Sequence, residues 1–304
     1  MQALTVKNVS KSYGNKTVLT HVNLTIEDGE FYALMGPNGS GKTTLISIIA
    51  SVSSPSEGSV TVYGRHTAKE VISYVPQENF SSPLLTGKEN LMYFAQLYGF
   101  SRREASSLAT SILERIRMSA VAQARVSTYS GGMRKRLEVG TGLFPGTKLL
   151  LLDEPTTGLD PSARREFLGM IKEMNENGMT IFFITHIGED AELASRVGFI
   201  DEGVIIAEDA PETLKKGSGL TNVLTVETAL KSEKILDTLK GFSDQEKVLE
   251  TETGYRIYCE NPREVLPHVV RALDKIGCTN HKIDIDTPSL EDVFFALTEN
   301  QVIS

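Results

Sequence analysis

Residues 36–44 (GPNGSGKTT) have the residue types and spacing of a phosphate-binding loop. Gly36, Gly41, Lys42 and Thr43 fill the pattern G-x-x-x-x-G-K-[ST], in which backbone N–H groups surround an anion, the lysine reaches the outer phosphates and the hydroxyl binds magnesium. A tight turn would explain the glycines but not the lysine and threonine. The sequence therefore predicts a phosphate cradle, whose other members are Pro37, Asn38, Gly39, Ser40 and Thr44.

Asp153 and Glu154 directly follow four leucines and precede Pro155. A carboxylate at the end of a buried parallel strand beside a phosphate loop is placed to complete a magnesium shell. The next carboxylate can polarise an attacking water. The alternative, an acidic pair on the surface, is disfavoured by the apolar run before it.

Ser130, Gly131 and Gly132 precede a predicted helix. Serine is a good N-cap, so a capped helix is the simplest interpretation. Two consecutive glycines would also let a phosphate approach the amide groups. Residues 134–136 (RKR) put cations in the first helical turns, against the helix dipole. This suggests a nearby anion, although solvated surface charges would give the same pattern.

The apolar pattern predicts the elements that position these residues. Short alternating runs at 3–10, 22–36, 58–64 and 71–77 predict strands, and apolar spacing of three and four residues predicts helices from 86 to about 127. Near-continuous apolar runs at 149–152 and 181–185 predict strands buried on both faces of a parallel sheet. The phosphate loop should thus join the strand at 31–35 to a helix, whose N-terminus faces the phosphates.

Length and composition exclude several classes of protein. The 304 residues suffice for one large or two ordinary domains. A net charge of −8 disfavours a general nucleic-acid-binding surface, so we expect no nucleic acid partner. No apolar run reaches the ~20 residues of a membrane span, and no signal peptide is evident, so a cytoplasmic protein is expected. Cys259 and Cys278 match no metal or redox spacing and are expected to be reduced packing residues.

A Gly/Ser-containing stretch at 211–219 predicts a boundary between two domains, at 1–215 and 220–304. The second is predicted to contain strands at 223–228, 247–251, 255–259 and 281–286 and helices at 229–240, 263–276 and 289–298. This β-α-β-β-α-β order is that of a small α+β, ferredoxin-like domain.

Six stretches together resemble the ATPase subunit of an ATP-binding cassette (ABC) transporter, over about residues 2–210. They are GPNGSGKTT (36–44), YVPQ (74–77), YSGGM (129–133), LLLLDEP (149–155), TTGLD (156–160) and ITH (184–186). The resemblance implies an α/β P-loop NTPase cassette with a RecA-like core, an antiparallel β subdomain and a helical subdomain. It also implies ATP hydrolysis with Mg²⁺.

The resemblance implies a role for each matching residue. Tyr13 would stack on adenine, and Gln77 would contact magnesium and the attacking water. Asp153 would hold magnesium through water, beside Thr43. Glu154 would be the catalytic base and His186 would hold the γ-phosphate. Taken alone, Tyr13 is equally a packing residue, Gln77 a loop residue and His186 a structural histidine.

In this family the signature motif acts in trans. Ser130, Gly131 and Gly132 of one cassette would cover the ATP bound to a second cassette, identical or different, and Asp160 would cross the interface. Alone, Asp160 is a simple N-cap. The other implied partner is a separately encoded membrane permease, which would hold the protein at the cytoplasmic face of the membrane.

Tyr129 and Met133 depart from the usual Leu and Gln of the signature, but the Ser-Gly-Gly core is intact. This variant, with residues 85–100 and 288–300, resembles exporter cassettes of the drug- and antibiotic-resistance type. Two alternatives remain: a soluble cassette ATPase acting on nucleic acid or ribosomes, and an inactive regulatory subunit. The acidic charge, the single cassette and the presence of Glu154 and His186 disfavour them.

Overall fold

The computed structural model of the protein describes residues 1–66, 69–220, 222–243, 248–251, 253–259, 261–278 and 281–299. Contacts divide the chain into two compact units, Met1–Glu208 and Asp209–Ser304. Among the described helices, none combines the length and apolar character needed to cross a bilayer.

The N-terminal unit begins with a three-stranded antiparallel sheet. Its strands are β1 (Gln2–Tyr13), β2 (Lys16–Glu27) and β4 (Glu57–Val62), in the order β2-β1-β4. A two-residue turn joins β1 to β2, and Gly14 supplies its left-handed backbone with φ of 58°. The turn pairs Tyr13 with Lys16 across the hairpin.

A six-stranded sheet forms the centre of this unit, in the order β5-β6-β7-β3-β8-β9. Its strands are β3 (Phe31–Met35), β5 (Ile72–Val75), β6 (Leu149–Asp153), β7 (Thr180–Thr185), β8 (Arg196–Asp201) and β9 (Val204–Asp209). Every residue of β3, β6 and β7 is buried, as the continuous apolar runs predicted. Met35 pairs with Thr185 and Asp153 with Ile184, so these three parallel strands end together at one edge.

Six helices accompany these sheets: α1 (Lys42–Ile49), α2 (Gly87–Leu97), α3 (Arg102–Arg115), α4 (Gly131–Gly140), α5 (Pro161–Glu176) and α6 (Gly188–Ala191). Thr86 and Ser101 begin α2 and α3 with capping boxes, in which each cap and a glutamate three residues later bond each other's backbone. The region predicted as helical up to about 127 ends differently: after α3 it contains two single-turn 3₁₀ segments, Ser119–Val121 and Val126–Thr128.

The C-terminal unit has one four-stranded antiparallel sheet in the order β11-β12-β10-β13. Its elements are α7 (Pro211–Gly217), β10 (Val223–Thr228), α8 (Glu233–Lys240), β11 (Val248–Glu250), β12 (Gly254–Tyr258), α9 (Pro262–Lys275), β13 (His281–Asp286) and α10 (Leu290–Glu299). Cys259 lies in the core and Cys278 packs against it.

Two features differ from the sequence prediction: the start of α8 and the stretch predicted as a linker. α8 begins at Glu233 instead of 229, because Ser232 caps it by accepting a hydrogen bond from the Ile235 backbone. The stretch predicted as a linker contains α7, which packs with α10 in the same unit. Contacts divide the chain after Glu208, just before this stretch. Residue 247 of a predicted strand, residue 300 of the tail and residues 301–304 of the predicted domain lie outside the described residues.

Candidate nucleotide site

The glycine-rich loop connects the end of β3 to the start of α1. Gly41 is the N-cap of α1 with φ of 104°, and a Cβ there would lie 2.6 Å from the Leu19 side chain and 2.9 Å from the Val18 carbonyl oxygen. Only glycine fits this conformation and this close approach. The Lys42 ammonium donates to the carbonyl oxygens of Gly36 and Pro37, at 2.8 and 2.9 Å. The loop therefore curls around a buried cation, and that burial lowers the pKa of Lys42.

Thr43 and Asp153 come together from different elements. The Thr43 hydroxyl in α1 is 3.4 Å from Asp153 Oδ1 at the end of β6. Asp153 is only 2% exposed, and this burial raises the pKa of its carboxyl. A hydroxyl and a carboxylate at one point form the oxygen-rich set that a hard divalent cation prefers.

Glu154 follows Asp153 with a strained backbone, at φ of 45°. Its N–H donates to the Ile184 carbonyl at 3.0 Å, which fixes this conformation against β7. Its carboxylate oxygens lie 3.7 Å from Lys42 Nζ and 3.3 Å from His186 Nδ1. Strain of this kind persists where the surrounding structure fixes a functional side chain. The structure thus brings Lys42, Glu154 and His186 into one cluster.

A cavity of about 430 Å³ opens above this cluster. Its lining residues are Lys16, Val18, Asn38, Gly39, Gly41, Lys42, Thr43, Thr44, Gln77 and Glu154. Gln77 therefore lies at the same opening as the phosphate loop. Sequence reasoning missed Lys16 and Val18; the signal available was their place in the stretch that connects Tyr13 to Leu19, next to the loop.

Tyr13 is not among the described residues that line this cavity. Its ring is 53% exposed at the end of β1, with the Lys11 ammonium 4.9 Å from the ring centre. The exposed ring excludes the alternative of core packing. Tyr13 pairs across the hairpin with Lys16, which does line the cavity, and the Lys11 ammonium lies over its ring.

The Ser-Gly-Gly stretch is the N-terminus of α4. Ser130 caps it by accepting a hydrogen bond from the Met133 backbone at 3.2 Å. Gly131 is exposed, whereas Gly132 is buried against α5, where a Cβ would lie 2.8 Å from that of Ala163. The second glycine thus has a packing role that the sequence did not reveal. Among the described residues lining the phosphate cavity, none belongs to 130–132.

The cations after this stretch have partners within the chain. Arg134 donates to the Val126 carbonyl at 3.3 Å, Lys135 donates to the Gln77 carbonyl, and Arg136 lies 3.7 Å from Glu166. Contacts with other elements therefore offset the unfavourable position of these cations relative to the helix dipole, so the three charges do not by themselves require a nearby anion.

Tyr129 replaces the usual leucine of the signature without disturbing it. Its hydroxyl donates to the Val121 carbonyl at 2.8 Å, and it occupies the space beside Gly87, where a Cβ would lie 2.3 Å from that hydroxyl. The larger side chain is thus accommodated by a glycine at the start of α2.

Asp190, fully buried in α6, is another residue that sequence reasoning missed. It accepts hydrogen bonds from the Thr156 hydroxyl and, at 2.6 Å, from Arg164 Nε in α5. Asp160, which caps α5 by accepting from the backbones of Ser162 and Ala163, lies between these two partners in sequence. The segment after Glu154 is therefore held at both ends by one carboxylate, four residues beyond His186.

Comparison with known proteins identifies the family. Residues 19–157 match the ABC transporter family. The linearmycin resistance ATP-binding protein of Bacillus subtilis is 32% identical over 97% of this chain and 98% of its own length. The chain belongs to the ATP-binding subunits of ABC transporters. Its activity is ATP hydrolysis coupled to transport.

Other relatives of this ABC subunit also match it over nearly the whole length of both chains. The Nod factor export ATP-binding protein I of Rhizobium etli is 33% identical over 99% of this chain and 95% of its own length. A daunorubicin resistance ATP-binding protein of Streptomyces coeruleorubidus is 33% identical over 97% of this chain and 95% of its own length. These relatives favour the transporter over the soluble cassette acting on nucleic acid or ribosomes.

Solved ABC cassettes match the fold of this chain over about two thirds of its length. A dimeric cassette in a post-hydrolysis state, bound to ADP and Pi, has a TM-score of 0.62 and 29% identity. The match covers 68% of this chain and 98% of that chain. The predicted P-loop NTPase cassette is thereby confirmed.

Proposed function

We propose that this subunit drives an ABC exporter from the cytoplasmic face of the membrane, through a separately encoded permease. The support for export is that relatives named for drug resistance and Nod factor export match the chain over nearly its whole length. The transported molecule would be selected by the permease, since the cavity in this chain has the charges and backbone amides of a phosphate site.

The side chains at the strand edge fit ATP with Mg²⁺. The backbone of residues 36–44 and the Lys42 ammonium would hold the phosphates at the N-terminus of α1. Thr43, Gln77 and, through water, Asp153 would hold Mg²⁺, which would neutralise charge that develops on the phosphate oxygens during transfer. The exposed ring of Tyr13 would stack on adenine.

Glu154 is placed to act as the general base. Its carboxylate would accept the proton of the attacking water, while His186, 3.3 Å from it, would donate a hydrogen bond to the γ-phosphate. Gln77, at the mouth of the cavity, would orient the same water. Lys42 lies 3.7 Å from Glu154 and would turn to the phosphates, leaving Glu154 to the water.

A second cassette would complete the site. The observation that carries this proposal is that Lys42, Gln77 and Glu154 line an open phosphate cavity, whereas Gly131 at the N-terminus of α4 is exposed and is not among the described lining residues. Residues 130–132 of a partner cassette would supply that cover. Asp160 would lie at the same interface.

We also propose that the chain consists of an ATPase domain at about 1–215 and a ferredoxin-like accessory domain at about 220–304, which makes up most of the C-terminal unit. Its β-α-β-β-α-β order and the sheet order β11-β12-β10-β13 support this, because the two helices each connect strands that are not neighbours.

Mixing two inactive variants tests the shared site. Lys42→Ala disables the phosphate loop. Gly131→Asp puts a carboxylate where the partner's phosphates would lie; its Cβ has room, with the nearest atom 3.5 Å away, and an acid at a helix N-terminus is not destabilising. Each variant alone should be nearly inactive. An equimolar mixture should recover roughly a quarter of the parental ATPase rate, because half the dimers are mixed and each has one intact site.

The control for this experiment is a mixture of two preparations of Lys42→Ala, which contains no intact site. If the two different variants form mixed dimers, shown by differently tagged chains, and recover no activity, the shared site is wrong.

A further inference from the structure

α4 carries two buried charged side chains beyond the signature residues, and both contact the loop that contains Gln77. Lys135 is 7% exposed, and its ammonium donates to the Gln77 carbonyl oxygen. Burial lowers the pKa of Lys135, although Glu138 opposes this. The lysine therefore lies away from solvent and fixes the backbone of the residue whose side chain faces the cavity.

Glu138, one turn further along α4, is fully buried. One carboxylate oxygen accepts from the Ser81 N–H at 3.1 Å and from the Ser81 hydroxyl, and the other accepts from the Phe80 N–H at 3.3 Å. A buried carboxylate destabilises the fold unless its oxygens accept hydrogen bonds. Glu138 therefore depends on the N–H and hydroxyl groups of this loop, and the loop is held in place by Glu138.

The loop is anchored at its far end as well. Asn90 of α2 is 1% exposed, accepts from the Ser82 N–H at 2.8 Å and donates to the Ser82 carbonyl at 3.0 Å. The backbone of 77–82 is thus bound at four residues by side chains of α2 and α4. None of these hydrogen bonds involves the β3, β6 or β7 edge, and the one interaction with that edge is the electrostatic attraction between Lys135 and Asp153 at the end of β6.

We propose that Lys135 and Glu138 are positioning residues that fasten the Gln77 loop to the signature helix, so that the two move as one body. Gln77 of one site and the Ser-Gly-Gly cover offered to the other site then share a single rigid support. Because its hydrogen bonds do not include the phosphate loop, we expect this support to affect turnover much more than the first binding of ATP. The inference rests on the proposed roles of Gln77 and of residues 130–132.

Steady-state kinetics of Glu138→Gln and Lys135→Met test this. Both substitutions keep the side-chain length and remove the charge. We expect kcat to fall at least tenfold in each variant, with the KM for ATP and the affinity for a fluorescent ATP analogue within twofold of the parent. A role confined to stability would lower kcat only by the fraction of unfolded protein, measured by circular dichroism at the assay temperature.

Asp292→Asn is the matched control. Asp292 is a fully buried carboxylate in the other unit that accepts from the Ser289 N–H at 2.6 Å, so its loss also removes a satisfied buried charge. We expect a lower melting temperature and an unchanged kcat per folded molecule. A kcat loss in Glu138→Gln no larger than in this control would overturn the proposal.

If Glu138→Gln fails to fold, Ser81→Ala tests the same contact by changing the partner residue in the loop. It removes the hydroxyl bonded to Glu138 and keeps both backbone bonds, so we expect a smaller fall in kcat, again without a change in KM. An unchanged kcat, or a rise in KM equal to the fall in kcat, would contradict the proposal. An inactive parental protein would instead count against the proposed function.

Discussion

The edge formed by β3, β6 and β7 and the N-terminus of α4 differ in what they present to a nucleotide. The first offers charged side chains that already contact each other: Lys42, Glu154 and His186 lie within 3.7 Å of their neighbours in the cluster. The second offers backbone amides, with its serine engaged in capping and its cations bound to other elements. The side chains for ATP hydrolysis and the backbone amides for covering a partner's ATP therefore lie in different parts of the chain.

This difference has a physical reason. Side chains that move protons or hold metal need fixed mutual distances, which the register of three buried parallel strands provides. A surface that must bind and release a partner's nucleotide gains more from small, exposed residues, because these let another chain approach without displacing side chains. Substitutions at the two regions should therefore have different consequences.

Glu154→Gln should have the largest effect. Loss of a general base typically lowers the rate by a factor of about 10²–10⁴. ATP should remain bound, because the neutral amide removes a negative charge that faces the phosphates. We expect nearly abolished turnover and an ATP-bound dimer that persists in size-exclusion chromatography. Turnover at the parental rate would contradict the assignment of Glu154.

Lys42→Ala should act on binding itself. Removing a charge-assisted contact to phosphate costs about 1.5–3 kcal/mol, which corresponds to roughly a 10- to 100-fold weaker affinity in an ATP titration. Lys172→Ala, an exposed lysine of α5, is the control and should bind as the parent does. Equal affinities for the two variants would show that the loop does not hold the phosphates through Lys42.

Gly132→Ala should have the smallest effect, and on stability. Its Cβ would lie 2.8 Å from Ala163 Cβ, so overpacking should lower the free energy of unfolding by about 1–3 kcal/mol. Gly131→Ala, with its nearest atom at 3.5 Å, should be neutral or slightly stabilising, since alanine favours a helix over glycine. Urea denaturation measures the free energy of unfolding of both variants. If Gly132→Ala is as stable as Gly131→Ala, the packing role of Gly132 is wrong.

The sequence by itself determined the family, the buried strands and the cluster around the phosphate loop. The loop, the acids after the leucines and the histidine after β7 each follow an apolar run, and parallel strands that end at one edge bring such residues together. These are local signals, because strand, turn and helix N-terminus all lie within a few residues of the group they position.

Only the tertiary structure decided the roles of Gly132, Lys135, Glu138 and Asp190. Each contacts a residue more than 20 positions away in the sequence: Ala163, Gln77, Ser81 and Thr156. In the sequence alone, a lysine in a run of cations reads as a solvated surface charge and a glutamate in a helix as an exposed residue. Whether such a charge is buried depends on which loop packs over it, and that is settled only when distant elements meet.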